Sequence, residues 1–501
     1  MRMQPLRLIT LATLTIASHP YVSADNYSDF IKDAHDDFKD FFDETHREYL
    51  SFRDSANIQF AERLSKNWER RELSKPVPKP KDRTAPPIVA PIKDNKPHKN
   101  TQPVKVPEVM PPTPPMPAPQ PTPIEPIKEN PIVDTWKHFS FYGTPAKVRW
   151  DDNLQIKCST TSPADVAAKW LQMSKADYDN LISDCLCLRT KLQLDDWPYL
   201  ELLKSVATAT HPSDTNAQTL LTAFLYCQSG YAMRLGVQNG KLVIFAGSRH
   251  IIYDRPYLEI NGTVFTSVSD NSSSGPLEFA NIPYPSERLL SLEINRQPKL
   301  QGKIESRVRI SKIDPDINTT VKINTSLINL YDNYPTSMTG GNLMTRWAQY
   351  ANTPLDSITK ASLYPTLRKN IDGISQQEAG NKLLHFVQTA FTYEYDNKVW
   401  GADRAFFAEE SLYYPYSDCE DRSILFSRLV RDIMNLDAAL IYYPGHLATA
   451  IAFTDKSIPG DWITINGHQY LICDPTYINA SIGRTMPGMD NSRAKAIILR
   501  R

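Results

Sequence analysis

Ser417-Asp418-Cys419-Glu420-Asp421-Arg422-Ser423 sets a cysteine where a helix should begin. Ser417 or Asp418 can cap the free backbone N–H groups of a first turn. Ile424, Leu425, Leu429, Val430, Ile433 and Met434 follow at helical spacing. Cys419 is therefore expected at a helix N-terminus, where the dipole and the free N–H groups favour a thiolate. Asp418, Glu420 and Asp421 oppose that by charge, so a thiolate here needs a further partner.

Downstream, Gly445-His446-Leu447-Ala448-Thr449-Ala450-Ile451 reads as a histidine opening a buried strand. An imidazolium beside the sulfur lowers its pKa and can later protonate a leaving group. Tyr470-Leu471-Ile472-Cys473-Asp474-Pro475-Thr476 reads as a second apolar strand ending on a carboxylate, which can accept the other ring N–H and fix the tautomer. Singly, each residue is ordinary: a buried thiol, a structural histidine, an Asp-Pro turn. Their order and contexts together point to a Cys419–His446–Asp474 thiol triad.

This pattern resembles the transglutaminase-like superfamily over about residues 376–490. There the nucleophile opens a helix, the histidine heads a strand, and the aspartate is often followed by Pro-Thr. The resemblance implies an α+β, papain-like core, a helix carrying the nucleophile against an antiparallel sheet. It implies Cys419 as nucleophile, His446 as base and acid, and Asp474 as the orienting carboxylate. Two departures bear on substrate preference: no glycine precedes Cys419, and Leu447-Ala448 stands where Ala-Trp is common.

A second copy of the pattern lies upstream. Leu202–Ala209 aligns with Leu383–Ala390, Ser213-Asp214-Thr215 with Ser417-Asp418-Cys419, and Gly240-Lys241-Leu242 with Gly445-His446-Leu447. Glu259-Ile260-Asn261-Gly262 aligns with Thr464-Ile465-Asn466-Gly467, and Ser269 falls opposite Asp474. The framework persists while the triad becomes Thr215, Lys241 and Ser269, so the first copy is expected to be inactive. The alignment also nominates Gln388, opposite Ala207, as a side-chain donor to an oxyanion beside the Cys419 N–H; a surface or core glutamine is the alternative. Trp400 is a second oxyanion or pocket candidate. It lies in an insertion at 392–416 that is rich in aromatics, including Tyr393, Tyr395, Phe406, Phe407, Tyr413, Tyr414 and Tyr416. The insertion reads equally as a substrate wall or as packing beside the nucleophile helix.

Outward from these copies the chain changes character. Arg2 and Arg7, a short apolar run at 8–17 and Val22-Ser23-Ala24 make an export signal with a cleavage pattern before Asp25. Phe38, Phe41, Phe42, Tyr49, Phe52, Ala56, Phe60, Leu64 and Trp68 mark an amphipathic helix or helical hairpin to about residue 73. It suits packing or self-association; its mixed charges argue against a membrane surface. Residues 76–131 hold nearly half of the chain's 39 prolines and read as a semi-stiff polyproline spacer, spanning up to roughly 150 Å at ~3.1 Å per residue. Lys+Arg and Asp+Glu number 56 each, which argues against a nucleic-acid partner. No cofactor is indicated, the six cysteines show no zinc spacing, and no stretch reaches the roughly 18 apolar residues of a membrane helix.

The expected organisation is a signal peptide at 1–24, a helical segment at 25–75, a Pro-rich linker at 76–132, a degenerate copy at 133–275, a β-rich connection at 276–340 and a catalytic copy at 341–501. The expected protein is a periplasmic or extracellular cysteine peptidase or amidase acting on a protein or peptide through a thioester. Interception of that thioester by an amine would make it a cross-linking acyltransferase. A non-catalytic envelope scaffold is the rival of another class.

Overall fold

The computed structural model describes residues 51–80, 86–90, 103–109, 135–269, 273–285 and 287–500. The expected signal peptide and the first half of the expected N-terminal helical segment lie outside them. In chain order the elements that build the two copies begin with a helix over residues 51–64 (α1) and a strand Glu69–Leu73 (β1). Two short strands follow, Val104–Lys105 (β2) and Glu108–Val109 (β3). The first copy supplies helices Asp196–Thr210 (α2) and Thr215–Gln228 (α3), and strands Met233–Gln238 (β4), Lys241–Ser248 (β5), Tyr257–Ile260 (β6), Thr263–Ser267 (β7) and Gly275–Ala280 (β8). The second supplies helices Gln376–Thr389 (α4) and Cys419–Leu429 (α5), and strands Ala438–Tyr443 (β9), His446–Ile451 (β10), Trp462–Ile465 (β11), His468–Cys473 (β12) and Lys495–Ile498 (β13).

The chain is mixed α+β with antiparallel sheets, and one topology occurs twice. The first sheet runs β6-β7-β5-β4-β8 and the second β11-β12-β10-β9-β13, antiparallel throughout. The turns that set the registers match as well. Asn261-Gly262 and Asn466-Gly467 both take φ near +50° and then +76° or +78°, the left-handed pair that a two-residue hairpin demands. Asp214 and Asp418 each cap the helix that starts at the next residue. The four short sequence matches thus fall on equivalent structural positions.

Each sheet is closed by a strand from the N-terminal part of the chain. β1 pairs with β8, and the Ser74 N–H reaches the Tyr257 carbonyl, so one segment touches both edges of the first sheet. In the second copy β2 pairs with β11 while β3, two residues on, pairs with β13 at the opposite edge. Val106 N–H donates to Thr464 O, and Ala496 N–H to Pro107 O. Closure removes both free edges. Leu73 fills the first barrel among Val243, Phe245, Leu258, Phe265, Leu277 and Phe279. Val106 fills the second among Ile441, Ala448, Ala450, Ile463 and Ile472, where alanines leave room in a narrow interior. The first closing strand is antiparallel and the second parallel, so this feature lies outside the repeated sequence pattern.

These strands correct two expectations. The helix ends at residue 64 rather than 73, because Glu69–Leu73 pairs with β8, and tertiary pairing overrides the helix propensity of a charged run. Nor are residues 76–131 simply a spacer: 103–109 is a barrel strand and 86–90 packs on the second copy. Burying Val106 contributes about 2 kcal/mol, and an unpaired carboxylate in its place costs more. Val106→Asp is therefore expected to destabilise the second barrel by about 3 kcal/mol or more. Hydrogen exchange at 462–465 and 495–498 reads this; exchange equal to wild type would restore the spacer.

Ala56, Phe60 and Leu64 of the α1 stripe are buried within the chain, while Phe52 is exposed. Phe60 meets Trp170 at 4.5 Å and Tyr284 at 5.6 Å between ring centroids, and the Asn57 carbonyl accepts from Trp170 Nε1 at 3.1 Å. Residues 276–340, expected as a β-rich connection, hold strands and one helix. They begin within β8, continue through the hairpin Ile304–Ile310/Asn318–Asn324, and end with the helix Thr325–Asp332 and a short strand at Ser337–Thr339.

Candidate active site

Asp418 caps α5 in a capping box: its Oδ1 accepts from Glu420 N–H at 3.2 Å, and Asp421 Oδ2 accepts from Asp418 N–H at 3.2 Å. Cys419 is the first helical residue, as expected. Ser423 Oγ, one turn on, donates to the Leu447 carbonyl at 2.9 Å. The nucleophile helix is thereby stitched to β10 at the residue after His446.

His446 opens β10 behind the Pro444-Gly445 turn, where Gly445 takes φ +82°. Its Nε2 lies 2.8 Å from Asp474 Oδ2, with both side chains buried. Asp474 Oδ1 accepts from the N–H groups of Thr476 at 2.8 Å and Tyr477 at 3.2 Å, which fixes the carboxylate. A carboxylate only accepts, so Nε2 carries the shared proton and Nδ1 holds the lone pair. His446 Nδ1 is buried and has no partner among the described residues. Tyr443 stacks on the ring at 6.2 Å.

The site is closed and its thiol neutral. Cys419, His446 and Asp474 are each 2% exposed. Burial pushes the Cys419 thiol well above its ordinary range, the charges of Asp418 and Glu420 add to that, and the Leu447 N–H pulls the other way. The helix N-terminus does not deliver the expected thiolate here, since a terminal dipole offers about 0.3–1 kcal/mol against a much larger desolvation cost.

Gln388 is displaced from its nominated role. It is buried, and its Nε2 donates to the carbonyls of Asp474 at 3.2 Å, Tyr477 at 2.8 Å and Ala480 at 3.0 Å. Those bonds hold the loop that carries Asp474 and leave no amide hydrogen for an oxyanion. Trp400 packs against Phe406 and Tyr414, with Arg404 over its ring at 4.6 Å. Phe407 stacks on Tyr331 in the core. In the same insertion the Tyr393 hydroxyl is pushed up, first by burial and then by the charge of Cys419.

The sequence reading passed over Arg422 and two acids. Arg422 is buried one turn into α5, and donates to Ser417 Oγ and to the Gln388 and Phe391 carbonyls at 3.0–3.1 Å. Its spacing from Cys419, three residues, was the available signal. Asp396, Asp403 and Glu420 bring carboxylate oxygens within 4.8 Å of one another, donors that suit a hard cation. Burial and mutual repulsion push Glu420 and Asp421 well above the usual carboxylate range and Asp396 up to about 7. These acids come from separate segments, so no local motif announces them.

In the first copy Thr215 opens α3 and Lys241 opens β5, both exposed. Asn216 Oδ1 accepts from Leu242 N–H at 2.9 Å, the amide of the residue that matches Leu447. Ser269 Oγ accepts from Ile244 N–H at 3.0 Å. The position is sealed by amide and hydroxyl bonds and presents no thiol or imidazole. All six cysteines of the chain are free, and Cys187 is the exposed one. No family model, no curated protein and no solved structure matches this chain.

Proposed function

We propose that the second copy is a transglutaminase-like, papain-type cysteine hydrolase of peptide or amide bonds, in an exported chain. The observation that carries this reading is the buried His446–Asp474 pair. Nε2 is committed to the carboxylate, Nδ1 is unpartnered among the described residues, and Ser423 of the Cys419 helix bonds the carbonyl of the residue after His446. In the proposed reaction Nδ1 takes the Sγ proton as sulfur attacks the carbonyl carbon. The C–N bond then breaks, His446 returns the proton to the departing amine, and a thioester remains. Water, deprotonated by His446, adds to the thioester and releases the acid and the thiol. The Cys419 N–H is the oxyanion donor closest to hand, because Asp418 already caps Glu420 and Asp421. Residues 1–24 support export, and among the described residues no helix is long and apolar enough to cross a membrane.

The closed, neutral site also favours a second reading, a non-catalytic envelope scaffold. Site-resolved alkylation by iodoacetamide separates the two. The hydrolase reading expects the Cys419 rate at neutral pH to fall about 100-fold in His446→Gln while Cys187 is unchanged, the scale of a lost general base. Equal Cys419 rates in the two proteins would favour the scaffold.

A further inference from the structure

The loop that carries Asp474 is held from two sides, and one side belongs to the Pro-rich segment. From inside, Gln388 takes the carbonyls of Asp474, Tyr477 and Ala480. From outside, residues 86–90 lie alongside as a short parallel strap. Ile478 N–H donates to Ile88 O at 2.9 Å, Ala90 N–H to Ile478 O at 2.7 Å, and Asn479 Nδ2 to Ala90 O at 3.5 Å. Ala90 is buried against Tyr477, Ala480 and Met486, with Ile88 packed beside them. The loop has no regular structure of its own, and Asn479 sits in the left-handed region at φ +65°. The strap is anchored thirteen residues on by the barrel strand at 103–109.

We propose that residues 86–90 are a positioning element of the active site, the outer jaw of a clamp that sets Asp474 against His446. This rests on the hydrolase reading above. Free chain after Asp474 would sample many orientations; two opposed sets of bonds leave one. A carboxylate displaced by even ~1 Å from Nε2 no longer fixes the tautomer, and misplacements of that size cost on the order of 100-fold in rate. The catalytic unit is then residues 86–90 and 103–109 together with the second copy, and a protease cutting the Pro-rich segment, or a partner peeling it away, would act on the triad without touching it. The strap brings no titratable side chain, since Pro86-Pro87-Ile88-Val89-Ala90 carries none. The titratable groups that interact with the pair are Cys419, Cys473 and Tyr443, and Asp418 and Glu420 act on Cys419.

The test uses the full chain with Ala90→Glu, which sets a charge against Tyr477 and Ala480, and Ala90→Ser as the conservative control. Three quantities are read: the pH profile of Cys419 alkylation, exchange at the Ile478 amide, and the unfolding midpoint. Ala90→Glu is expected to free the Ile478 amide, to slow Cys419 alkylation at neutral pH about 10- to 100-fold, and to move its pH midpoint upward, because a loosened carboxylate supports the imidazolium less. Ala90→Ser stays near wild type. A packing role alone would lower the unfolding midpoint and leave the pH midpoint in place. An Ala90→Glu protein with a freed Ile478 amide and a wild-type pH profile overturns the clamp. Wild-type protein whose Cys419 rate is independent of His446 overturns the reading of the site itself, a different result from the first.

Discussion

Cys419→Ala is expected to abolish hydrolysis, lowering kcat by about 10⁴-fold or more while the fold survives. In the proposed mechanism the substitution removes the sulfur that would form the acyl bond. The cost in stability is small. The helix start is held independently by the Asp418–Asp421 capping box, and α5 stays tied to β10 through Ser423. Turnover of a proteome-derived peptide library, with circular dichroism as the control for folding, measures both. Retained turnover in Cys419→Ala would remove the mechanism.

Asp474→Asn is expected to lower kcat by about 10³- to 10⁴-fold with little loss of structure. The reason lies in what each oxygen does. Oδ1 accepts from two backbone N–H groups, so an asparagine must turn its carbonyl oxygen toward Thr476 and Tyr477. Its NH₂ group then points at His446 Nε2, which has to accept. That moves the ring proton to Nδ1, the nitrogen needed as the base for the sulfur. The same change removes the charge that stabilises the imidazolium. The result is a correctly folded site with the wrong tautomer. A variant with near-normal kcat would mean that His446 and Asp474 are a structural pair.

The three candidate residues were legible because each sits in a local motif. Cys419 follows a cap, His446 follows a Pro-Gly turn, and Asp474 precedes Pro-Thr at a strand end. The repeated topology was legible from turns, since Asn-Gly at 261–262 and 466–467 and the helix caps at 214 and 418 recur at matched spacing. What escaped the sequence is whatever depends on distant partners. Barrel closure by 104–109 uses two pairs of residues on opposite edges, too short for any periodicity, inside a segment whose composition argues for a spacer. The helix Ser357–Ile371 carries a proline at 365 that reads as a breaker. Gln388 has the right chemistry for an oxyanion donor, and only the fold shows three carbonyls already waiting for its amide. The thiolate expectation failed for the same reason: a helix start is visible in sequence, whereas the complete burial of its first side chain is not.

Acid-quenched mass spectrometry of the full chain mixed with the peptide library tests the central claim most directly. The account predicts an acyl adduct on the peptide containing Cys419, labile to hydroxylamine as a thioester is, absent in Cys419→Ala and reduced about 100-fold or more in its rate of formation in His446→Gln. No adduct at Cys419, or one that forms equally well without His446, would contradict it.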